Sequence, residues 1–198
     1  MNLQRSKIII LTVATTLLLT NCATPPTVDT IKRPYKPIPM PHSLFAISTE
    51  CQSIVPYTKP LDFPSKYRQD DDSKSLVDTQ QQTEYQARTQ HINTFAQAMV
   101  KQVERLTRNP RDRRSLDCYI QQLSSWADAS ALLSQDTTKT GIAVRKWTLA
   151  SLAASYLRLS IAPTQETQKI ESWLSKIANQ VISEYDLRPV RLRNNHDY

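Results

Sequence analysis

A single glycine, Gly141, serves all 198 residues of this chain. Glycine enters the left-handed region of φ without steric cost, and hairpin turns and phosphate-cradling loops draw on it repeatedly. A β-sandwich or a P-loop enzyme is therefore a poor fit, and the chain must build itself from elements that do without such positions. Proline sets the second boundary, because nine of the twelve fall between Pro25 and Pro64. Each locks φ and removes a backbone donor, so that stretch is neither helix nor central strand. Whatever regular structure the chain has is expected after it.

The pattern beyond residue 78 is helical. Residues 65–82 are polar and charged and read as an exposed loop running into a helix start near Asp78 or Thr79. Ile92, Phe95, Ala96, Met99, Val103 and Leu106 then recur at spacings of three and four, the signature of an amphipathic helix, which Asn109-Pro110 ends. A second helix, about 113–134, carries Leu116, Ile120, Leu123 and Ala127 on one stripe. In a third, about 140–160, apolar residues wrap most of the circumference, which predicts burial on most sides. A fourth starts after Pro163, with Thr164 as N-cap, Glu166 in the first turn, and a stripe of Ile170, Trp173, Leu174, Ile177, Val181 and Ile182. The fold class is all-α, built from antiparallel helix pairs as a bundle, a solenoid or a toroid.

The N-terminus reads as an address. Arg5 and Lys7 precede an apolar run from Ile8 to Leu19, too short for the roughly 20 residues of a membrane-spanning helix and typical of a secretory signal. Leu19 stands three residues before Cys22, as in a lipobox, so residues 1–21 are expected to be a signal peptide and Cys22 a lipidated N-terminus. The alternative is ordinary cleavage nearby, with Cys22 a bystander. Residues 22–50 then form a proline-rich tether, and Ala23 rather than aspartate after the cysteine favours the outer membrane and a periplasmic location. Cys51 and Cys118 remain as an even pair in an oxidising compartment and read as a disulfide, against the alternative of two reduced core thiols.

The net charge of +7 falls to +5 once Arg5 and Lys7 are removed. A basic surface attracts polyanions in general. Export argues against nucleic acid and leaves an acidic polysaccharide, or a surface that serves solubility alone. No metal set is visible: His42, His91 and His196 are far apart, and Asp70-Asp71-Asp72 reads as a hydrated loop. No cofactor motif is present either. The polar C-terminal tail, Arg191 to Tyr198, is weak evidence of chemistry by itself.

Three colinear blocks sharpen the reading. The first runs from Cys51 to Tyr67 and ends LDFPSKY; the second is LDCYIQQLSSWADASALL (116–133) leading into TGIAVRKWTLASLAASYLRLS (140–160); the third is NNHDY (194–198). Together they resemble the mannuronate-specific alginate lyases of polysaccharide lyase family 5. The resemblance implies an incomplete α/α toroid of antiparallel helical hairpins around a deep cleft, over residues 51–198. It also implies cleavage of polymannuronate by β-elimination without metal or organic cofactor.

By the same resemblance, Asn195 would hydrogen-bond the sugar carboxylate and His196 would neutralise it or help take the C5 proton. Lys66 and Tyr67, in a lid loop, would contact the polymer, while Arg145 and Trp147 on a cleft-lining helix would supply charge and a stacking face. For the last two, a surface charge and a core tryptophan are the alternatives. The family's catalytic arginine and tyrosine lie downstream of its Asn-Asn-His block, so the expectation from 198 residues is a truncated toroid that is inactive alone. The runner-up function is a non-catalytic, lipid-anchored polyuronate-binding protein, joined to the membrane through the N-terminal lipid only.

Overall fold

A computed structural model describes residues 36–41 and 51–186, all within one unit of the chain, Tyr35–Tyr198. Residues 1–21, expected to be a signal peptide, and Cys22, Asn195 and His196 lie outside the described residues.

Four helices account for most of what is described, and each begins where a side chain can cap it. Helix α1, Thr79–Arg108, opens on Asp78, whose carboxylate accepts from Gln81 N at 3.0 Å. It ends at Asn109, because Pro110 cannot continue it. Helix α2, Arg113–Asp128, opens on Asp112, which accepts from Ser115 N at 3.0 Å and from Ser115 Oγ at 2.8 Å. Those two donors hold the Asp112 carboxyl below its usual range. Helix α3, Lys139–Leu157, is capped by Thr138, and α4, Gln165–Asp186, by Thr164, whose hydroxyl accepts from Thr167 N at 3.2 Å. Such caps satisfy backbone donors that the first helical turn leaves unpaired.

The apolar stripes then decide the packing. Helix α1 lies against α2 and α3, and α4 lies against the same two. Ile92, Phe95, Met99 and Leu106 of α1 meet Leu116, Ile120, Leu123 and Trp126 of α2, with Ile170, Trp173 and Ile177 of α4 closing the core. Phe95 and Trp126 stack face to face at 3.6 Å between ring centroids. The protein is all-α in class. Among the described residues no helix is long and apolar enough to cross a membrane.

Helix α3 differs from expectation. Val144, Arg145, Thr148, Leu152 and Ser155 are buried, but Trp147 is 47 % and Leu157 39 % exposed. Its apolar circumference is covered on the side facing α1 and α4 and open elsewhere among the described residues. Helix α2 contains its whole stripe but ends at Asp128, short of the expected end near 134. Its last turn gives way to a loop in which Ser130 and Leu132 take positive φ, so the loop turns without a glycine.

Part of the expected tether belongs to the body. Strand β1, Ile38–Pro39, pairs in parallel with β2, Leu159–Ser160. Ile38 N and Met40 N donate to Arg158 O and Ser160 O, leaving Pro39, which has no N–H, at the position that needs none. Met40 is buried behind this pair.

Residues 51–63 run extended across the helices. Cys51 is bonded to Cys118 on α2, with the Cα atoms 5.4 Å apart. Gln122 accepts from Ile54 N and donates to Gln52 O, while Trp126 Nε1 donates to Ile54 O at 2.9 Å. A crosslink over 67 residues removes chain entropy from the unfolded state worth about 4 kcal/mol. Replacing both cysteines with serine is expected to lower unfolding free energy in urea by 2 to about 4 kcal/mol. An unchanged midpoint would show that hydrogen bonding and packing hold the segment without the bridge.

Candidate functional site

The first candidate residues sit in a loop whose base is fixed to α3. Leu61 and Phe63 are buried, and a parallel bridge joins Leu61 to Thr137. Leu61 N donates to Asp136 O at 3.0 Å, and Thr138 N donates to Leu61 O at 3.2 Å. Thr138 Oγ1 donates to Phe63 O at 2.9 Å and accepts from Phe63 N and from Gly141 N. One threonine thus caps α3 and anchors the strand. Gly141 explains why the two come so close: a Cβ there would sit 1.9 Å from Leu61 O.

Beyond Phe63 the chain leaves the body and returns at Asp78. Tyr67 and Val77 form an antiparallel bridge, flanked by Arg68 N to Leu76 O at 2.9 Å and Asp78 N to Lys66 O at 3.0 Å. Lys66 and Tyr67 are both half-buried, and Lys66 Nζ stands over the Tyr67 ring, 5.2 Å from its centroid. The tip of the loop is organised by Asp71, whose carboxylate accepts from Ser73, Ser75 and Leu76. The Ser73 hydroxyl, followed by the backbone N–H of Leu76, holds the Asp71 carboxyl far below the usual carboxylate range. Asp70 is paired with Arg68 at 2.5 Å, and that contact likewise depresses its titration. Asp70 and Asp71 are thus engaged within their own loop. Among the described residues no cluster of His, Cys, Asp and Glu has the makings of a metal site.

Arg145 and Trp147 were expected to act together, and α3 separates them. Trp147 is the exposed one. Arg145 is 1 % exposed: Nε donates to Leu132 O at 3.0 Å, one terminal nitrogen donates to Ser134 O, and the other is paired with Glu184 of α4. Two more side chains of α4 take the neighbouring carbonyls, Trp173 Nε1 reaching Ala131 O at 2.8 Å and Gln180 Nε2 reaching Leu133 O at 3.2 Å. Four consecutive carbonyls of the 131–134 loop are therefore met by side chains of α3 and α4. The following residues, Asp136 to Thr138, hold the strand that carries Lys66 and Tyr67.

Sequence reasoning missed the residues that shape the site rather than face it. The Asp-x-Ser-x-Ser spacing of 71–75 is a legible signal for a side chain turning back on its own backbone. Glu184, 39 positions from Arg145, has no such signal. His91 is likewise a clamp in the described fold, stacked on Trp126 with Nε2 2.6 Å from Val55 O.

The alginate lyase family profile matches residues 62–198. An alginate lyase of Cobetia marina is 39 % identical over 159 residues, covering 76 % of this chain and 42 % of that protein. One from Pseudomonas fluorescens is 38 % identical over 159 residues, with 76 % and 43 % covered, and one from Pseudomonas syringae pv. tomato is 35 % identical over 156 residues, with 75 % and 41 % covered. The chain spans about two-fifths of the length of these relatives. A match extending over the 66–77 loop, the buried core of all four helices and the polar C-terminal block places the chain in the alginate lyase family.

Proposed function

We propose that the full-length protein cleaves alginate, at polymannuronate, by β-elimination. A base removes the C5 proton, the C5–H electron pair forms the C4–C5 double bond, and the glycosidic C4–O bond breaks, the departing oxygen taking up a proton, to leave an unsaturated uronate end. The C5 proton is adjacent to a carboxylate, so the transition state gathers negative charge that cationic and hydrogen-bonding groups must offset. In this reading Asn195 hydrogen-bonds that carboxylate and His196 neutralises it or shares in taking the proton. Lys66 places a positive charge, and Tyr67 a ring and hydroxyl, over the polymer. Trp147 offers an exposed face to a sugar. Arg145, with its donors spent inside the protein, serves by holding the 131–138 loop.

The observation that carries this reading is the placement of Lys66 beside Tyr67 on a loop rooted in the buried strand at the start of α3. Such a root lets a loop present charge without losing register. We further propose that the two helix pairs, α1–α2 and α3–α4, are consecutive hairpins of an α/α toroid. The site is reached in the periplasm, on a protein held to the outer membrane by a lipid on Cys22.

The intact protein with polymannuronate is expected to raise ultraviolet absorbance as unsaturated ends form. His196→Ala is expected to slow that rise about 100-fold or more, the scale of a lost general acid or base. Normal turnover by the variant would remove His196 from the chemistry. Binding of mannuronate oligomers with no absorbance change would favour a non-catalytic polyuronate-binding role.

A further inference from the structure

We propose that Asp71 is the positioning residue that fixes Lys66 and Tyr67 for the polymer, an inference that rests on the contact role given to those two residues above. The carboxylate collects five donors from one short stretch. Oδ1 accepts from Ser73 N at 3.1 Å and from Ser73 Oγ at 2.5 Å; Oδ2 accepts from Ser75 N and Leu76 N, each at 2.7 Å, and from Ser75 Oγ at 3.2 Å.

Two details tie this cluster to the candidate residues. In an antiparallel ladder every second pair of opposed residues exchanges two backbone bonds, and 68 and 76, next to the Tyr67–Val77 bridge, stand in that register. Arg68 and Leu76 make only one, from Arg68 N to Leu76 O. The other half is divided: Leu76 N goes to Asp71, and Arg68 O accepts from Lys74 Nζ at 3.3 Å. The Asp71 side chain therefore takes the place of a strand partner one residue from Tyr67. Lys74 sits at φ 53, a region disfavoured for any residue with a Cβ, and its N–H is tied to Asp71 O at 3.1 Å.

Nothing apolar substitutes for these bonds. Residues 68–70 and 72–77 are all exposed, Leu76 and Val77 included, so the loop encloses no core of its own. A loop without a core holds its shape through its polar contacts, and one that visits other shapes binds more weakly in proportion to the time spent in them. Asparagine at 71 keeps the volume and one acceptor oxygen but replaces the other with an NH2, so in either orientation Asp71→Asn turns a donor toward the backbone N–H of Ser73 or toward those of Ser75 and Leu76.

The test is calorimetry of mannuronate oligomers with the intact protein, joined to amide hydrogen exchange. If the binding shape falls to about a tenth of the population, Asp71→Asn weakens affinity about tenfold. Exchange at Ser73, Ser75, Leu76 and Arg68 should quicken while amides of α1 to α4 keep their protection. A disulfide built by Arg68→Cys with Leu76→Cys would tie the two positions that the Arg68 N to Leu76 O bond already joins. Formed in the Asp71→Asn background, it should restore affinity toward that of the same crosslink with Asp71 present. Lys66→Ala separates the two levels. Unchanged affinity in Lys66→Ala overturns the contact role itself. Weakened affinity in Lys66→Ala with none in Asp71→Asn, or a loss in Asp71→Asn that the crosslink does not repair, overturns the positioning role alone.

Discussion

Replacing Gly141 with alanine is expected to destabilise the protein by at least about 3 kcal/mol, the upper range for forcing an extra methyl into a packed interior. The sign runs against helix propensity, which favours alanine over glycine by about 1 kcal/mol inside a helix. Gly141 lies in the first turn of α3, and a Cβ there would meet Leu61 O at 1.9 Å, Thr137 Oγ1 at 2.5 Å and Leu61 C at 2.9 Å. Two of those three atoms are backbone and do not rotate away. Leu61 cannot retreat cheaply, because its N–H is bonded to Asp136 O and its carbonyl accepts from Thr138 N. Relief would therefore part the strand from the start of α3, costing each of those bonds, about 1 kcal/mol net apiece, and loosening the root of the 66–77 loop. Urea unfolding checks the magnitude. A Gly141→Ala protein as stable as the parent would show that α3 and the strand do not approach as described.

The second large effect concerns Arg145. Methionine at this position fills similar space but removes every donor. Leu132 O and Ser134 O lose their partner, and Glu184, whose side chain is 17 % exposed, loses its counter-charge. Breaking a buried pair from one side costs about 3–5 kcal/mol, because the surviving charge stays desolvated. Arg145→Met should approach that loss in chemical denaturation. Changing Glu184 to methionine as well should recover part of it, since the stranded carboxylate is gone while the two carbonyls remain unpaired. A double variant as unstable as the sum of the singles would mean that the two side chains do not interact, and the energetic account of the pair would fail. The same substitutions bear on function. The loop that Arg145 gathers runs directly into Asp136, Thr137 and Thr138, which hold Leu61 and Phe63. Disorder there reaches Lys66 and Tyr67 without either residue being touched.

These two residues also show where reading a sequence succeeds and where it stops. Arg145 stands in an Arg-Lys-Trp helix start, and the natural inference was a cation for a sugar, with Trp147 beside it. Residues two apart on a helix do not face the same way, and only the neighbours of α3 decide which of them turns inward. The structure sends Arg145 in, where Glu184 and the carbonyls of 132 and 134 compensate the cost of burying a charge. Lys66 and Tyr67 were easier to assign to a loop, because they lie in the polar and charged stretch 65–82 that already read as one.

What the sequence determined by itself was local and periodic. The stripes at three- and four-residue spacing located four helices, and Asp78 and Thr164 marked two of their starts. The paired cysteines indicated the bridge now seen between Cys51 and Cys118. Three motif blocks indicated the family. Scarcity of glycine excluded glycine-dependent turns, yet it did not exclude positive φ, which Lys74, Ser130 and Leu132 adopt at their own steric cost. The tertiary structure alone decided what the single glycine is for. It is not spent on a turn: its φ is not positive, and its absent side chain lets one backbone pass against another. Periodicity records which residues prefer to leave water, a property of each residue and its near neighbours. A close approach between positions 61 and 141, or a pairing of 145 with 184, depends on which surfaces meet after collapse, and only the packed chain contains that information.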